Sequence, residues 1–525
     1  MDAVLSVIIK SARYYSTVPL KTTIVIAFLK KIPPSVIAAT LISVAVPFFG
    51  FAVMYFSQGV QHLIWGDGIG YLELSENLSR GRGFSAVWGG ESQSYLPEVF
   101  RTPGMPFLAS LFFSAGLGMA GYLAFVVVLG GIATPLLTWW IAKEWFSDKI
   151  AVIAAWLIAV DPLRWVHSWF FLTEGLYVPV LLSGVVAYVY ALRRGSVFGA
   201  VLAGALLAAS QYIRPITLYL VLFPLALTAA VQIAVFARRA RAKGKFPFCS
   251  APVRFSFKNS ARRLLSSGSA VFLAAVAVFC ILLAPWYVRN YVQADTFSFS
   301  GAGWRNVYTD YLASLRAIER GKGFSVEKNA LKEYAYQTWG MGGYALNNPA
   351  NADVLKGYIF EELSQTPLKN IVKLQALLFI TFMTHADYPK KLEKSGILAP
   401  GALRSGISAS QVLLHNPLSV AIPTIFLDLK KRLFLPLLER LVYLAFLLLA
   451  AIGLFFYGKN FSTWVIVSFV FGGYLLSSVI GFGVEGRLRL PIEPFYFILV
   501  AAGAVTVVPL LRRCWPSSKR AAPFS

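Results

Sequence analysis

Long, uninterrupted runs of apolar residues are the feature that most constrains this chain. They recur along its 525 residues, and each is close to the length needed to cross about 30 Å of hydrocarbon. Two shorter runs, Ile150–Val160 and Val197–Ala209, fit thinner spans. Unbroken runs form helices, because a membrane β-strand alternates in polarity and is half as long. The longer runs are Pro34–Phe56, Gly121–Ala142, Ser168–Leu192, Ile216–Phe236, Gly268–Val288, Arg432–Tyr457, Ser462–Phe482 and Pro491–Leu511.

The composition supports the same class. The chain is 57% hydrophobic and 14% charged, with a mean hydropathy of +0.65, which excludes a soluble globular protein. The sequence therefore predicts an all-α polytopic membrane protein with about 10–13 transmembrane helices and additional juxtamembrane helices outside. Pro103–Ala115 is too short to span, and Leu368–Thr384 could be a re-entrant or interfacial helix.

The net charge of +24 is explained by where the basic residues lie. Nine basic residues and no acidic one fall between Arg238 and Arg263, and four more follow the last apolar run. Short basic segments beside membrane spans stay in the cytoplasm, next to anionic lipid. The charge therefore indicates a lipid bilayer as the partner and not nucleic acid.

Fixing these basic segments inside predicts five regions. The two outer segments, 57–102 and 289–432, hold 16 of the 24 acidic residues, as expected for folded loops in water. The regions are a cytoplasmic or interfacial segment (1–33), a transmembrane module (34–291) with outer loop 57–102 and cytoplasmic loop 238–263, a large extracytoplasmic region (292–432), C-terminal transmembrane helices (433–511) and a basic cytoplasmic tail (512–525).

Asp67, just past the first apolar run, is the first candidate for chemistry. A carboxylate at the hydrocarbon boundary gains basicity from the low dielectric and can act as a general base. The alternative is a helix N-cap, since a helix through Tyr71, Leu74 and Leu78 would start there. Both roles can hold together.

Glu174 lies in the outer third of an otherwise uncharged span. An ionisable group at that depth is costly, and it indicates function unless it only pairs with a nearby arginine. Asp161, Arg164 and His167 sit on the short outer link before it, where a surface or packing role is expected for His167.

Several arginines fall on the same predicted outer side. Guanidinium groups bind phosphate through two hydrogen bonds and do not lose their charge, so together they could hold a phospholipid head group. The alternative for each arginine alone is anchoring at the membrane interface. The candidates are Arg101, Arg214, Arg289, Arg487 and Arg489.

The sequence lacks the motifs of several other classes of enzyme. The sequence has no phosphate loop, no zinc-type spacing of His and Cys, and no H-E-x-x-H. Four histidines in the whole chain argue against a His-based metal centre or a Ser-His-Asp triad.

A series of short motifs, in this order, resembles the GT-C superfamily of membrane glycosyltransferases. The resemblance is strongest to the bacterial protein O-mannosyltransferases and aminoarabinose (lipid A) transferases, and it covers residues 30–300 and the last span. The motifs are Asp67-Gly68-x-x-Tyr71, Gly81-Arg82-Gly83-Phe84, Arg101-Thr102-Pro103-Gly104-Met105-Pro106, Leu172-Thr173-Glu174, Arg214-Pro215, Pro285-Trp286-x-x-Arg289-Asn290 and Arg487-x-Arg489-x-Pro491-x-x-Pro494.

The resemblance implies an inverting transfer of a sugar from a polyprenyl-phosphate donor to an acceptor hydroxyl of a protein, lipid or glycan. It places the enzyme in the bacterial inner membrane, with its active site facing the periplasm. Asp67 and Glu174 would be the acidic site residues, with the arginines on the donor phosphate. Relatives often have Asp at the position of Glu174, and protein O-mannosyltransferases have an Asp-Glu pair where Gly68 follows Asp67 here.

Three alternatives stay open at this point. A divalent cation could be held by Asp67 and Glu174. The same charges could instead line the path of a transporter or flippase, although a transporter more often places charges on both leaflets. A non-catalytic membrane assembly factor is the third class.

Overall fold

The protein is described by a computed structural model over residues 32–88, 94–227, 260–384, 434–484 and 486–514, with further residues at 393, 417, 419–420 and 423–424. Within these ranges the chain is almost entirely helical, which confirms the predicted fold class. Most of the predicted segment 1–33, of the basic loop 238–263 and of the tail 512–525 lies outside the described residues, as do most of 385–433 and Glu485.

The first predicted outer loop is folded. Helix α1 (Pro34–Gln58) ends at Gly59, whose φ of 78° turns the chain into a short 3-10 segment and then into helix α2 (Asp67–Ser79). An antiparallel hairpin follows, formed by strands β1 (Ser85–Trp88) and β2 (Ser94–Pro97). The hairpin is fastened to α2, because the Glu73 carboxylate accepts a hydrogen bond from the Val87 N–H at 2.6 Å.

Six helices form the central part of the molecule. Asp161 breaks the apolar run between the third and fourth of them, and its carboxylate accepts hydrogen bonds from the backbone N–H groups of Leu163 and Arg164. The chain therefore bends by 44° where the sequence predicts a short outer link. The helices are α3 (Gly104–Ser114), α4 (Gly118–Trp145), α5 (Asp148–Ala159), α6 (Pro162–Trp169), α7 (Glu174–Arg194) and α8 (Val197–Ile213).

The predicted extracytoplasmic region is helical over 295–384, apart from short connections. Its first part has an aromatic core in which the rings of Tyr308, Trp339 and Tyr358 lie 5.5–5.8 Å apart. Helices α9 (Thr217–Leu227) and α10 (Ser260–Ala294) precede these residues in the chain. The helices within 295–384 are α11 (Ala302–Asn306), α12 (Leu312–Arg320), α13 (Phe324–Trp339), α14 (Gly343–Asn347), α15 (Ala352–Gln365) and α16 (Leu368–Thr384).

Three helices close the chain: α17 (Phe434–Tyr457), α18 (Phe461–Ser478) and α19 (Glu493–Cys514). The backbones of α17 and α19 approach closely, because a Cβ atom at Gly503 would lie only 1.9 Å from the Leu449 carbonyl oxygen. Small residues allow such contact between membrane helices, whose association gains little from the hydrophobic effect. The apolar face of α16 is also buried, and the Tyr474 hydroxyl donates to Gln375 on this helix.

Six helices in the described residues are long and apolar enough to cross a membrane, so the protein is a multi-pass membrane protein. They are α1, α4, α7, α17, α18 and the Ala270–Ala294 part of α10. The bent pair α5 and α6 can form a seventh span. The predicted number of spans is reached only when the four shorter apolar helices are counted too.

Helix ends that are predicted to lie on one side of the membrane contact each other. At the predicted inner end, the rings of Phe146 and Tyr457 lie 5.6 Å apart. At the predicted outer end, the Thr102 hydroxyl donates to the Ile213 carbonyl at 2.9 Å. The Phe171 N–H donates to the Leu63 carbonyl at 3.0 Å. Residues from distant parts of the chain are therefore brought to one end of the helices.

One ion pair between α12 and α15 predicts how stability depends on pH. The Arg316 guanidinium contacts the Glu362 carboxylate at 2.7 Å, and its hydrogen bonds lower the pKa of Glu362. The pair therefore stabilises the fold above the ordinary carboxyl pKa, and this contribution is lost as the pH falls through the lowered value. We expect Glu362→Gln to lower the free energy of unfolding at pH 7 by about 1 kcal/mol.

The measurement is thermal unfolding of the wild type and the variant between pH 7 and pH 3. The difference between them should shrink as the pH falls. Glu361→Gln changes a neighbouring exposed carboxylate and should have no comparable effect. A difference that stays constant down to pH 3 would contradict this role for the pair.

Candidate active site

Two ion pairs lie where the predicted outer helix ends meet. Asp67 Oδ2 is 3.2 Å from Arg487 Nη1, and Glu174 Oε1 is 3.0 Å from Arg214 Nη1. The first pair is open to solvent, since 54% of the Asp67 side chain is exposed. The second is buried, with only 3% of the Glu174 side chain exposed. Four of the seven predicted site residues thus form one accessible and one desolvated pair.

Tyr71 connects the two pairs. The charges of Asp67, Arg101, Arg214 and Glu174 all act on its hydroxyl group, so this phenol lies within electrostatic reach of both pairs. Arg101 Cζ is 5.8 Å from the ring centroid. Burial raises the pKa of Tyr71, and the Asp67 carboxylate raises it further, so the phenol stays a neutral hydrogen-bond donor at physiological pH.

Asp67 is held by the start of α2. Gly66 has a φ of 56°, a left-handed conformation that glycine adopts without strain, and the helix begins at the next residue. The predicted helix is present, but Asp67 is its first residue and makes no side-chain capping hydrogen bond. The predicted capping role is therefore wrong, because Gly66 occupies the cap position and the carboxylate points to Arg487 instead.

Glu174 is likewise the first residue of a helix, α7. A carboxylate in the first turn is favoured by the helix dipole, which helps it to remain ionised in a buried place. The segment before it passes beside α2, where a Cβ atom on Gly68 would lie 2.7 Å from the Phe171 carbonyl oxygen. This close approach explains why a second acidic side chain cannot follow Asp67 here.

Arg214 occupies the end of α8 in an extended conformation, with a φ of −141°. Its Cζ atom lies 5.9 Å from the centroid of the Tyr177 ring, and 16% of its side chain is exposed. The guanidinium group is thus desolvated on one side by an aromatic ring and reaches the site on the other.

Arg101 and Arg289 meet at Glu98, a residue that the sequence analysis did not single out. Arg101 Nη1 is 3.3 Å from the buried Glu98 carboxylate. Arg289 donates to the backbone carbonyls of Glu98 and Phe84, at 2.5 and 3.1 Å, and its Cζ atom lies 4.8 Å from the Trp286 ring. Arg289 therefore links α10 to the open end of the hairpin, where β1 begins and β2 ends. The spacing of three residues between Glu98 and Arg101 was the available signal for this pair.

Arg489 lies in a separate, completely buried cluster. Its Nε atom is 2.9 Å from Glu493, and Nη1 donates to the carbonyls of Phe382 and Met383 at 2.8 Å. The Tyr443 ring lies 4.1 Å from its Cζ atom. These contacts join α16, α17 and α19, so Arg489 serves the packing of the C-terminal helices. The sequence analysis missed Glu493, although a spacing of four residues from Arg489 marks it as a partner.

The predicted outer link with Asp161, Arg164 and His167 is buried. Asp161 caps α6 and accepts a hydrogen bond from the Tyr443 hydroxyl at 2.9 Å. Arg164 donates to the carbonyl oxygens of Ile158 and Ala159 and to Ser43. A surface role for His167 is therefore wrong, because only 1% of this residue is exposed.

A divalent cation between Asp67 and Glu174 does not fit this arrangement. Each carboxylate already contacts a guanidinium group, and a metal ion there would face the positive charges of Arg487 and Arg214. Over the ranges that the structure describes, no group of three or more His, Cys, Asp or Glu side chains could hold a metal ion.

Comparisons with protein families and with curated proteins find no match for this chain. Solved structures do match. One is the oligosaccharyltransferase AglB from Archaeoglobus fulgidus in complex with an inhibitory peptide and a dolichol-phosphate, at 14% identity and a TM-score of 0.46. The match covers 94% of this chain and 52% of AglB, so the chain spans about half the length of that protein.

Another is ArnT from Cupriavidus metallidurans bound to undecaprenyl phosphate, at 14% identity and a TM-score of 0.36, covering 91% of this chain and 79% of ArnT. Both proteins belong to the GT-C superfamily, which is the family that the sequence motifs resemble. At TM-scores below 0.5 the likeness supports no argument about chemistry, which has to come from the residues of the site.

The two neighbouring arginines of the last motif should differ sharply on substitution. Arg489→Met leaves Glu493 buried without its partner, and we expect it to lower the free energy of unfolding by about 3–5 kcal/mol. Arg487→Gln leaves Asp67 exposed to water and should cost less than about 1 kcal/mol. Thermal unfolding of the purified variants measures both. Equal losses of stability would contradict the division between a structural and a site arginine.

Proposed function

We propose that this protein is a membrane glycosyltransferase that moves a sugar from a polyprenyl-phosphate donor to an acceptor hydroxyl on the extracytoplasmic face. The observation that carries the proposal is the pairing of an exposed carboxylate, Asp67, with a buried Glu174–Arg214 pair around Tyr71. A group able to take a proton thus lies beside guanidinium groups able to hold phosphate, at one end of membrane helices.

The reaction would run as a single displacement. The acceptor oxygen attacks the anomeric carbon of the sugar and forms the new glycosidic bond, while the bond from that carbon to the phosphate oxygen breaks. Asp67 takes the proton of the acceptor hydroxyl. The electron pair of the broken bond leaves on the polyprenyl phosphate, and the configuration at the anomeric carbon inverts.

The ion pairs suggest how the site prepares for this step. Arg487 holds Asp67 in the absence of substrate, and a donor phosphate would compete with that carboxylate for the guanidinium group. Donor binding would therefore release Asp67 for proton transfer. The pair of Arg214 and Glu174 is more buried than the pair of Arg487 and Asp67, so water screens its charges less. This strengthens the attraction between Arg214 and the negative charge that develops on the leaving phosphate.

In this proposal the enzyme lies in the bacterial inner membrane, and its active site opens to the periplasm. Polyprenyl-phosphate donors have their lipid tails in the bilayer, so they can reach a site at the membrane boundary from the side. The acceptor would be a protein, lipid or glycan with a free hydroxyl group. Arg101 and Arg289 would support the donor phosphate through the loop that Glu98 organises.

Asp67→Asn should reduce sugar transfer by about 10²–10⁴-fold, since the amide cannot take the acceptor proton. The assay follows label from a radioactive polyprenyl-phosphate sugar into the acceptors of a membrane extract, with the purified protein in vesicles. Glu76→Gln is the matched control, because Glu76 lies on the same helix and is also paired with an arginine, Arg80, at 3.1 Å.

Full transfer by the Asp67→Asn enzyme would remove the base role. Movement of a solute or of the intact donor across the vesicle membrane, without sugar transfer, would instead favour a transporter or flippase.

Arg214→Gln should weaken the binding of polyprenyl phosphate by at least about tenfold, because the amide has no positive charge to offer. Arg214→Lys should recover only part of this affinity, since an ammonium group lacks the planar fork of the guanidinium. Binding is measured with the lipid phosphate in nanodiscs. Arg193→Gln, at the opposite end of the molecule, is the control, and equal effects of the two glutamine variants would count against the assignment.

A further inference from the structure

A small cavity adjoins the Glu174 side chain within the helical core. Its volume is about 20 Å³, enough for a water molecule, and its polar lining comes from Thr134, Arg164, His167, Ser168 and Glu174. His167 and Glu174, the acidic residue of the proposed site, therefore line the same small cavity.

The protonation of His167 is restricted by its surroundings. His167 Nδ1 lies 2.8 Å from the Leu163 carbonyl oxygen, which can only accept a hydrogen bond. Nδ1 must therefore carry a hydrogen in both charge states of the ring. Gain or loss of a proton at Nε2 then decides whether this buried imidazole is positive or neutral.

The charged groups that line the cavity with His167 come from two elements. On its own helix, Arg164 donates hydrogen bonds to backbone carbonyls and to Ser43. Glu174 comes from α7. From α1 and α4 the facing groups are Ser43 and Thr134, which do not ionise in this pH range.

Glu174 is the carboxylate on which these positive charges act. They are the charges of Arg214, Arg487 and His167. The imidazole is the one group among the three whose charge changes between pH 5 and 8. A proton on His167 therefore alters how strongly Glu174 holds Arg214.

The net charge of the site explains why protonation of His167 would affect binding of the donor. Asp67, Glu174, Arg214 and Arg487 carry no net charge together. A polyprenyl-phosphate sugar brings one negative charge, and its phosphate gains a second when the sugar leaves. We propose that His167 is a positioning residue for Glu174: its protonated form attracts this carboxylate across the cavity and frees Arg214 to bind the donor phosphate.

This inference rests on the proposed function, and it fixes the direction of a pH dependence. At the acidic end of the range the protonated imidazole offsets Glu174 and phosphate binding is strong. At the alkaline end the neutral ring leaves Glu174 to Arg214, and phosphate binding weakens. The ionisation of the phosphate monoester acts in the opposite direction, since it gains negative charge as the pH rises.

The test measures binding of a short polyprenyl phosphate to the full-length protein in nanodiscs of zwitterionic lipid, from pH 5.5 to 8. The comparison is between the wild type and His167→Gln, whose amide can still donate to the Leu163 carbonyl. We expect the wild type to bind about tenfold more tightly than the variant at pH 5.5 and equally well at pH 8. His62→Gln, which changes an exposed histidine of the first outer loop, should match the wild type throughout.

Each outcome separates the two proposals. A ratio of affinities that does not change with pH would overturn the role of His167 while leaving the proposed function in place. A wild type that binds no polyprenyl phosphate at any pH would remove the proposed function, and the role of His167 with it.

A second measurement does not depend on the folding of the His167→Gln variant. The chain has four histidines, so the triple variant His62→Gln, His385→Gln, His415→Gln leaves His167 as its single imidazole. In ¹⁵N-histidine NMR spectra, the titration midpoint of this ring should move to higher pH when polyprenyl phosphate binds. An unchanged midpoint with the ligand bound would overturn the inference.

Discussion

The structure depends on the cost of taking charge out of water. Several helix ends in this protein bring carboxylates and guanidinium groups together where little of their surface contacts water. Each of these buried groups needs an opposite charge or a hydrogen-bond partner. Glu174 at the start of α7 and Arg214 at the end of α8 meet in this way, as do Arg489 and Glu493. For the same reason, Arg289 donates to the Glu98 carbonyl and so links the hairpin to α10.

Burial and partners divide the arginines into two groups. Arg489 has its guanidinium surrounded by Glu493, two backbone carbonyls and the Tyr443 ring, so no ligand can reach it without disturbing the packing. Arg487, two residues earlier, is partly exposed and is paired with an exposed carboxylate. The two arginines of this short motif therefore have different roles, because Arg489 faces the helix interface and Arg487 faces the opening of the site.

A site that is neutral by pairing can still bind an anion. An incoming phosphate competes with the carboxylates for their guanidinium partners, so substrate binding and the release of Asp67 become one event. The buried pair responds differently from the exposed one, because fewer water molecules screen it. A nearby group that changes its own charge can then alter the balance at Glu174, and His167 beside the small cavity is placed to do this.

The sequence by itself determined the membrane class and singled out the four residues of the two ion pairs, because apolar length and isolated charges are local signals. It did not reveal Glu98 or Glu493, which look like ordinary acidic residues until a partner three or four positions away turns out to share their burial. It also placed Arg214 and Arg489 in the same class, and it left His167 with either a surface or a packing role. Only the tertiary structure decided these roles, since the contacts of a charged side chain depend on which distant segments pack around it.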